Sequence, residues 1–364
     1  MPVLDKIVAC NWRNITLQEL EFSPNLNCLC GGNGEGKTNL LDAVYYLSMT
    51  KSAFGSSDKY NFAHGSQSFE LSGTYTMHEG RTSRFGIKAA AGEEKKVTHD
   101  GKPYSRVSEH IGVLPIVMVS PGDSTLVSDS SEERRRFSNA VLSQIDREFL
   151  SDMQRYAKLL QTRNVILKGD ADDSIIDTID TRLSEWGSRI YQKRLDFTKA
   201  IEPRVAKFYE MLSGGREAVG IRYRSDMEDG SLYDLLRKNL TKDKMLGFTS
   251  CGVQRDDLIF TMDGDPIRKV GSQGQQKSFL ISLKFAQYEI MKERYGFAPM
   301  LLLDDLFDKL DFDRTRNLLE MVASSDFGQI FITDTDKSRL ERIIGGITQE
   351  STFYKAEGGV FTRQ

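Results

Sequence analysis

The residues with the most specific chemistry are Gly31-Gly-Asn-Gly-Glu-Gly36-Lys37-Thr38, which fit the G-x-x-x-x-G-K-[ST] spacing of a phosphate-binding loop. Glycines there let backbone N–H groups close round a phosphate where a Cβ would obstruct them. A helix starting near Lys37 turns its positive end toward the same point. Lys37 is spaced to reach β- and γ-phosphates, and the Thr38 hydroxyl to bind Mg²⁺. The pattern therefore assigns Gly31, Gly32, Asn33, Gly34, Glu35, Gly36, Lys37, Thr38 and the adjoining Asn39 to ATP, with Mg²⁺ as its companion ion. The flanks agree: the strand-like Leu26-Asn-Cys-Leu-Cys30 comes before, and Leu40, Leu41, Val44, Tyr45 and Leu47 follow at helical spacing.

A second constellation is Met300-Leu-Leu-Leu-Asp304-Asp305, an apolar strand ending in two acids. Beside a phosphate-binding loop, such an end places carboxylates where the strands of a parallel sheet terminate. Asp304 would hold Mg²⁺, usually through water, and Asp305 would orient or activate the attacking water. A third is Ser272-Gln273-Gly274-Gln275-Gln276, which opens a long helix just before that strand. Ser272 and the backbone near Gly274 would offer donors to a second anion; a plain helix N-cap would read the same way.

These motifs need a scaffold that brings strand ends together. Ile15 to Phe22 alternates as a strand does, and residues 66–106 read as a small antiparallel sheet with Asp100-Gly101 as its hairpin turn. From Ser131 to about Arg216 the chain is charged and helical, broken at Lys168-Gly-Asp-Ala-Asp-Asp173, without a sustained heptad repeat. Strand-and-helix alternation returns after about Gly247, which implies a mainly parallel sheet. The expected division is residues 1–118 with 245–364 as one lobe, 119–244 as a mainly helical second lobe, and the Ser272 segment (271–277) at the junction.

The 364 residues are 39% apolar and carry a formal charge of −3, so no global basic charge advertises nucleic acid. No long apolar run follows a basic start, and the four cysteines lack metal-ligand spacing, with Cys28 and Cys30 on one strand face. These features point to the cytosol. Arg134-Arg-Arg136 follows two glutamates and reads as an ion-paired or solvated face rather than a DNA contact; Lys95, Lys96 and Lys102 are open between the two.

The order of phosphate-binding loop, Ser-x-Gly-Gln segment and acidic strand is that of ABC-type ATPases. The finer set resembles the bacterial RecF family of DNA replication and repair proteins, which are ATPase heads of the ABC/SMC type. That set is Asn11-Trp-Arg-Asn14, Asn33 to Asp42, Ser120-Pro-Gly-Asp123, Glu133-Arg-Arg-Arg-Phe137, Arg255-Asp-Asp-Leu258, Gly271 to Lys277 and Leu301 to Asp305. The resemblance implies an α/β ABC-type head, a P-loop NTPase with a mixed sheet, an inserted helical lobe and no long coiled coil. It implies a weak ATPase that dimerises on ATP, with Ser272, Gln273, Gly274 and Gln275 acting in trans on the partner's nucleotide. It further implies DNA at gaps or single-/double-strand junctions, RecR- and RecO-like mediators, and a place in recombinational repair, replication-fork maintenance and the SOS response to DNA damage. It adds Arg13, Asp123, Asp311 and Thr333 as site candidates, Arg13 toward nucleotide and Thr333 as γ-phosphate sensor. The chain departs from the pattern at Gly122, at Asp308 and in having no histidine near Thr333. The rival is an ABC/SMC-type head outside repair, in a chromosome clamp or transporter. Transporter subunits lack Asn11-Trp-Arg-Asn14 and Arg255-Asp-Asp257, and SMC heads carry long heptads.

Overall fold

The computed structural model describes residues 1–55, 57–77, 80–169, 172–306, 312–323, 327–344 and 351–364. By contact the chain forms two units, Met1–Ser124 with Gln287–Gln364, and Thr125–Ala286.

The first unit holds two six-stranded sheets. One is antiparallel, built from β1 (Val3–Trp12), β2 (Ile15–Glu21), β4 (Ser68–Thr76), β5 (Thr82–Ala90), β6 (Lys96–His99) and β7 (Lys102–Pro103) in the order β2-β1-β4-β5-β6-β7. The hairpin expected at Asp100-Gly101 is there, with both residues at positive φ. The sheet is larger than the 66–106 segment because β1 pairs along its length with both β2 and β4. Leu4, Ile7, Ala9 and Trp12 of β1 are buried, in an alternation broken by the register shift at Leu4/Lys6 and by Asn11 at φ 53°. Trp12 meets Tyr46 and Phe69 edge-on, with centroids 5.0 and 4.8 Å away.

The other sheet runs β15-β14-β3-β13-β12-β8, from β3 (Leu26–Cys30), β8 (Ile116–Val119), β12 (Met300–Leu303), β13 (Ile330–Asp334), β14 (Ser351–Glu357) and β15 (Val360–Arg363). β14, β3, β13, β12 and β8 are mutually parallel, and only edge strand β15 is antiparallel. β3, β8, β12 and β13 are buried throughout, which explains the unbroken apolar runs of β8 and β12. Helix α1 (Lys37–Met49) touches β1, β4 and β5 of one sheet and β8 and β13 of the other. The remaining helices of this unit are α9 (Phe312–Ala323), α10 (Lys337–Ile344) and the last turns of α8 (Gln273–Tyr295).

The second unit contains α2 (Thr125–Ser128), α3 (Ser131–Ile145), α4 (Arg147–Ile166), α5 (Asp173–Ser213), α6 (Leu232–Leu246), α7 (Ile267–Val270) and most of α8. The helix break expected near 168–173 separates α4 from α5. Fully buried Arg163 of α4 donates to Asp180 of α5 at 2.6 Å and Asp243 of α6 at 2.8 Å, tying three helices through one guanidinium.

The segment 119–244 is not all helix: β9 (Val219–Arg224) pairs with β10 (Asp257–Met262), and β10 with β11 (Asp265–Pro266). That pairing carries residues 245–286 into the second unit, so the boundary expected at 245 falls inside α8 instead. The arginine run is more buried than a solvated face. Arg134 forks Asp257 at 2.7 and 3.2 Å, and Arg135 donates to the Asp256 carbonyl at 2.7 Å. Arg136 alone lies on the surface, paired with Glu132 and Glu133. The Glu133-to-Phe137 and Arg255-to-Leu258 motifs thus clasp one another.

Lys95 is likewise engaged, bonding Tyr46, the Thr50 carbonyl and Asp58 at the C-terminal end of α1, whereas Lys96 and Lys102 are exposed.

Fully buried His110 donates from Nε2 to the Leu47 carbonyl of α1 at 2.7 Å; a carbonyl only accepts, so Nε2 carries the proton. Burial holds this imidazole below its ordinary pKa, against the bond to Leu47. An unfolded histidine protonates near pH ~6.5, so as pH falls the unfolded chain takes up a proton that the folded one refuses. Stability from this group is present above that pH and is lost as pH falls toward the depressed folded value. Urea midpoints should therefore decline less between pH ~7.5 and ~5.5 in His110→Gln than in the parent; equal declines would remove His110 as a source of acid sensitivity.

Candidate nucleotide site

β3, β12, β13 and β8 end at one edge of the parallel sheet, and each end delivers part of the site. β3 runs straight into the loop at Gly31. Gly34 and Gly36 take φ of 83° and 103°, conformations that favour glycine. A Cβ on Gly31 would lie 2.5 Å from the Ala356 carbonyl of β14, so backbone packing also requires glycine there. Gly32, Asn33 and Gly34 are exposed at the crest.

Lys37 is only 4% exposed and donates to the carbonyls of Gly31 and Gly32 at 2.7 and 2.8 Å. The ammonium therefore lies across the loop it was expected to serve. Thr38 donates to both Asp304 oxygens, at 3.1 and 2.8 Å, which joins the first turn of α1 to the end of β12. Asp304 is 3% exposed and also accepts from Thr333 Oγ1 at 2.7 Å. Burial pushes its carboxyl above the ordinary range, while the Thr333 and Thr38 hydroxyls pull it back. Asp305 follows at φ 43°, half-buried, with its N–H donated to Thr333 Oγ1 at 3.0 Å.

A threonine hydroxyl and an aspartate carboxylate within hydrogen-bond distance form a hard-oxygen pair that fits Mg²⁺, which takes few protein ligands and completes its octahedron with water and phosphate. No cluster of three or more His, Cys, Asp or Glu suited to a metal occurs among the described residues. Cys28 and Cys30 are buried thiols, the latter pushed up to about 11 by burial and Asp334.

The other candidates divide. Thr333 is completely buried and its hydroxyl serves both acids, so it positions them and has no open face toward a phosphate. Asp123 accepts from the N–H and hydroxyl of Ser120 at 2.8 and 3.2 Å, closing the turn after β8. Asp311, like Asp308, lies outside the described residues. Arg13 is folded inward: it pairs with fully buried Asp42 at 2.6 Å and donates to Asn39, Ser52 and Asn61. Asn39 itself donates to Asn14 at 2.8 Å, so its side chain supports the loop from behind.

In the second unit, exposed Ser272 and half-buried Gln275 cap α8 reciprocally. The Ser272 N–H reaches Gln275 Oε1 at 2.7 Å, and the Gln275 N–H reaches Ser272 Oγ at 3.3 Å. Ser272 is therefore a helix N-cap, as the plainer reading of its segment expects. Sequence reasoning missed Glu217, which accepts from Gln275 Nε2 at 2.7 Å; nothing in its local pattern marks it, since the contact joins residues far apart in the chain.

The RecF/RecN/SMC N terminal domain profile matches residues 3–355. The chain belongs to that family. "DNA replication and repair protein RecF" of Phocaeicola vulgatus is 39% identical over 365 residues, covering 100% of this chain and 98% of the relative. The protein of the same name from Porphyromonas gingivalis ATCC 33277 is 39% identical over 359 residues, covering 98% and 99%. Among solved structures, one titled as the recombination mediator protein RecF-ATP in the RecFOR pathway superposes with a TM-score of 0.90 at 28% identity, covering 100% of this chain and 98% of that one. An Smc head domain from Pyrococcus furiosus matches at 0.58 and 14% identity over 100% and 96%, a likeness of fold. This family's head architecture is the ABC-type ATPase expected from the motifs, and the described residues include no long coiled coil.

Arg13 generates a stability expectation separate from any nucleotide contact. Arg13→Ala leaves the Asp42 carboxylate buried without its cation, which costs about 3 kcal/mol. Urea unfolding without nucleotide should show that loss; an unchanged midpoint would return Arg13 to the ligand side of the site.

Proposed function

We propose that this chain is an ATP-dependent DNA-binding protein of recombinational repair and replication-fork maintenance. In this reading it dimerises on ATP, turns ATP over slowly, and helps load recombinase at gapped DNA alongside RecR- and RecO-like mediators. The observation that carries it is the joined site of Lys37, Thr38, Asp304 and Asp305 in a chain that matches RecF proteins over its whole length. The names of the relatives support repair rather than a transporter or chromosome clamp.

In this reading Lys37 leaves its carbonyl partners for the β- and γ-phosphates, and N–H groups of the loop take the remaining oxygens. Mg²⁺ held at Thr38 and Asp304 would neutralise charge on the phosphates. Asp305 orients the attacking water, with Thr333 fixing its backbone. An aspartate is shorter than the glutamate of many ABC ATPases and holds water less closely, which accords with slow turnover. In this reading the protein meets DNA in the cytoplasm, and among the described residues no helix is long and apolar enough to cross a membrane.

Ser272, Gln273, Gly274 and Gln275 act on the nucleotide of a second copy. Two such half-sites close by two-fold symmetry with two ATP molecules between them. ATP then shifts the equilibrium because only the dimer makes both sets of contacts. Light scattering with Mg·ATP under conditions that suppress hydrolysis should show a dimer at tens of micromolar, roughly where weak specific interfaces appear. DNA binding at stated salt should rise with it. Ser272→Arg should keep monomer ATP binding and lose the dimer. A parent that stays monomeric, or a Ser272→Arg protein that dimerises normally, would contradict the scheme.

A further inference from the structure

Glu35 is a half-buried acid just past the crest of a loop that is to receive a polyanion. By Coulomb's law alone it opposes ATP, since like charges within a few ångströms repel. The structure gives its charge another use. The Glu35 carboxylate accepts from the N–H of Gly358, and the Glu35 carbonyl accepts from the N–H of Gly359 at 3.0 Å. These glycines, at φ of 56° and 84°, form the turn between β14 and β15. Gly359 lies so close to Asn14 that a Cβ would come within 2.1 Å of the Asn14 carbonyl. The Asn14 side chain presses on Gly36, where a Cβ would meet it at 2.7 Å. The loop is thus gripped at three points: Gly31 by β14, Glu35 by the hairpin turn, and Gly36 by Asn14.

We propose that Glu35 is a positioning residue whose bond to the C-terminal hairpin turn holds the phosphate-binding loop in its binding curvature, so that it strengthens ATP binding despite its charge. This rests on the reading of the loop as the ATP site. A loop free to open must be ordered by the ligand at a cost in affinity, whereas a loop already clasped is not. The clasp and the repulsion predict opposite signs for removal of the carboxylate.

The test is calorimetric ATP binding by the full chain as parent, Glu35→Ala, Glu35→Gln and Lys37→Ala, with urea midpoints alongside. Glu35→Ala should bind ATP roughly tenfold more weakly or worse, while turnover at saturating ATP stays within about twofold of the parent. Glu35→Gln should remain within about threefold of parent affinity, because its amide oxygen still accepts from Gly358. It also keeps the outcome decisive where Glu35→Ala lowers the urea midpoint. Binding by Glu35→Ala that equals or exceeds the parent overturns the inference, as does a Glu35→Gln protein as weak as Glu35→Ala. Where Lys37→Ala abolishes binding and Glu35→Ala is indifferent, this inference fails alone. A parent that does not bind ATP, or Lys37→Ala that binds equally, overturns the nucleotide reading and this inference together.

Discussion

Asp304 sits almost fully buried at the end of β12 and takes hydrogen bonds from Thr38 on one side and Thr333 on the other. A buried carboxylate is expensive unless it is satisfied, and burial already raises its pKa. Those two hydroxyls make it tolerable, and in doing so they fix the first turn of α1 against the ends of β12 and β13. The phosphate-binding loop, the acidic pair and the strand that supports them are therefore one hydrogen-bonded unit. A ligand that replaces the Thr38 bond acts on all three at once.

The scaffold supplies that coincidence by placing α1 between two sheets. The parallel sheet brings chain segments from both ends of the sequence to one edge, which no local folding rule could do. The antiparallel sheet covers the opposite face of α1 through Trp12, Tyr46 and Phe69. Arg13 with Asp42, and Lys95 with Tyr46 and the Thr50 carbonyl, then fasten the helix along its length. In the second unit the same economy recurs, with Arg134, Arg163 and Arg194 each joined to buried aspartates. Such pairs specify partners more than they add net stability.

What could be read from the sequence was what short spacing encodes. The loop, the acidic strand and the α8 cap follow from consecutive residues, and their elements lie where periodicity places them. β1 escaped notice because Asp5 and Lys6 interrupt its alternation, and its strand character is completed by neighbours on both sides. β9 and β10 were hidden by the same dependence on a distant partner, which moved the boundary from 245 into α8. Arg13, Glu35 and Thr333 carry residue types that suit a ligand contact equally well. Only their partners, Asp42, Gly358 and the two acids, show that these side chains are already engaged.

The account stands on the pairing of Thr38 with Asp304 as the seat of Mg²⁺ beneath ATP. The most direct measurement is the ATP affinity of parent and Asp304→Asn, each with Mg²⁺ and with the metal chelated. The parent should bind at least about tenfold more tightly with Mg²⁺, and Asp304→Asn should lose that enhancement while keeping the metal-free affinity. An Asp304→Asn protein that retains the full Mg²⁺ enhancement would contradict it.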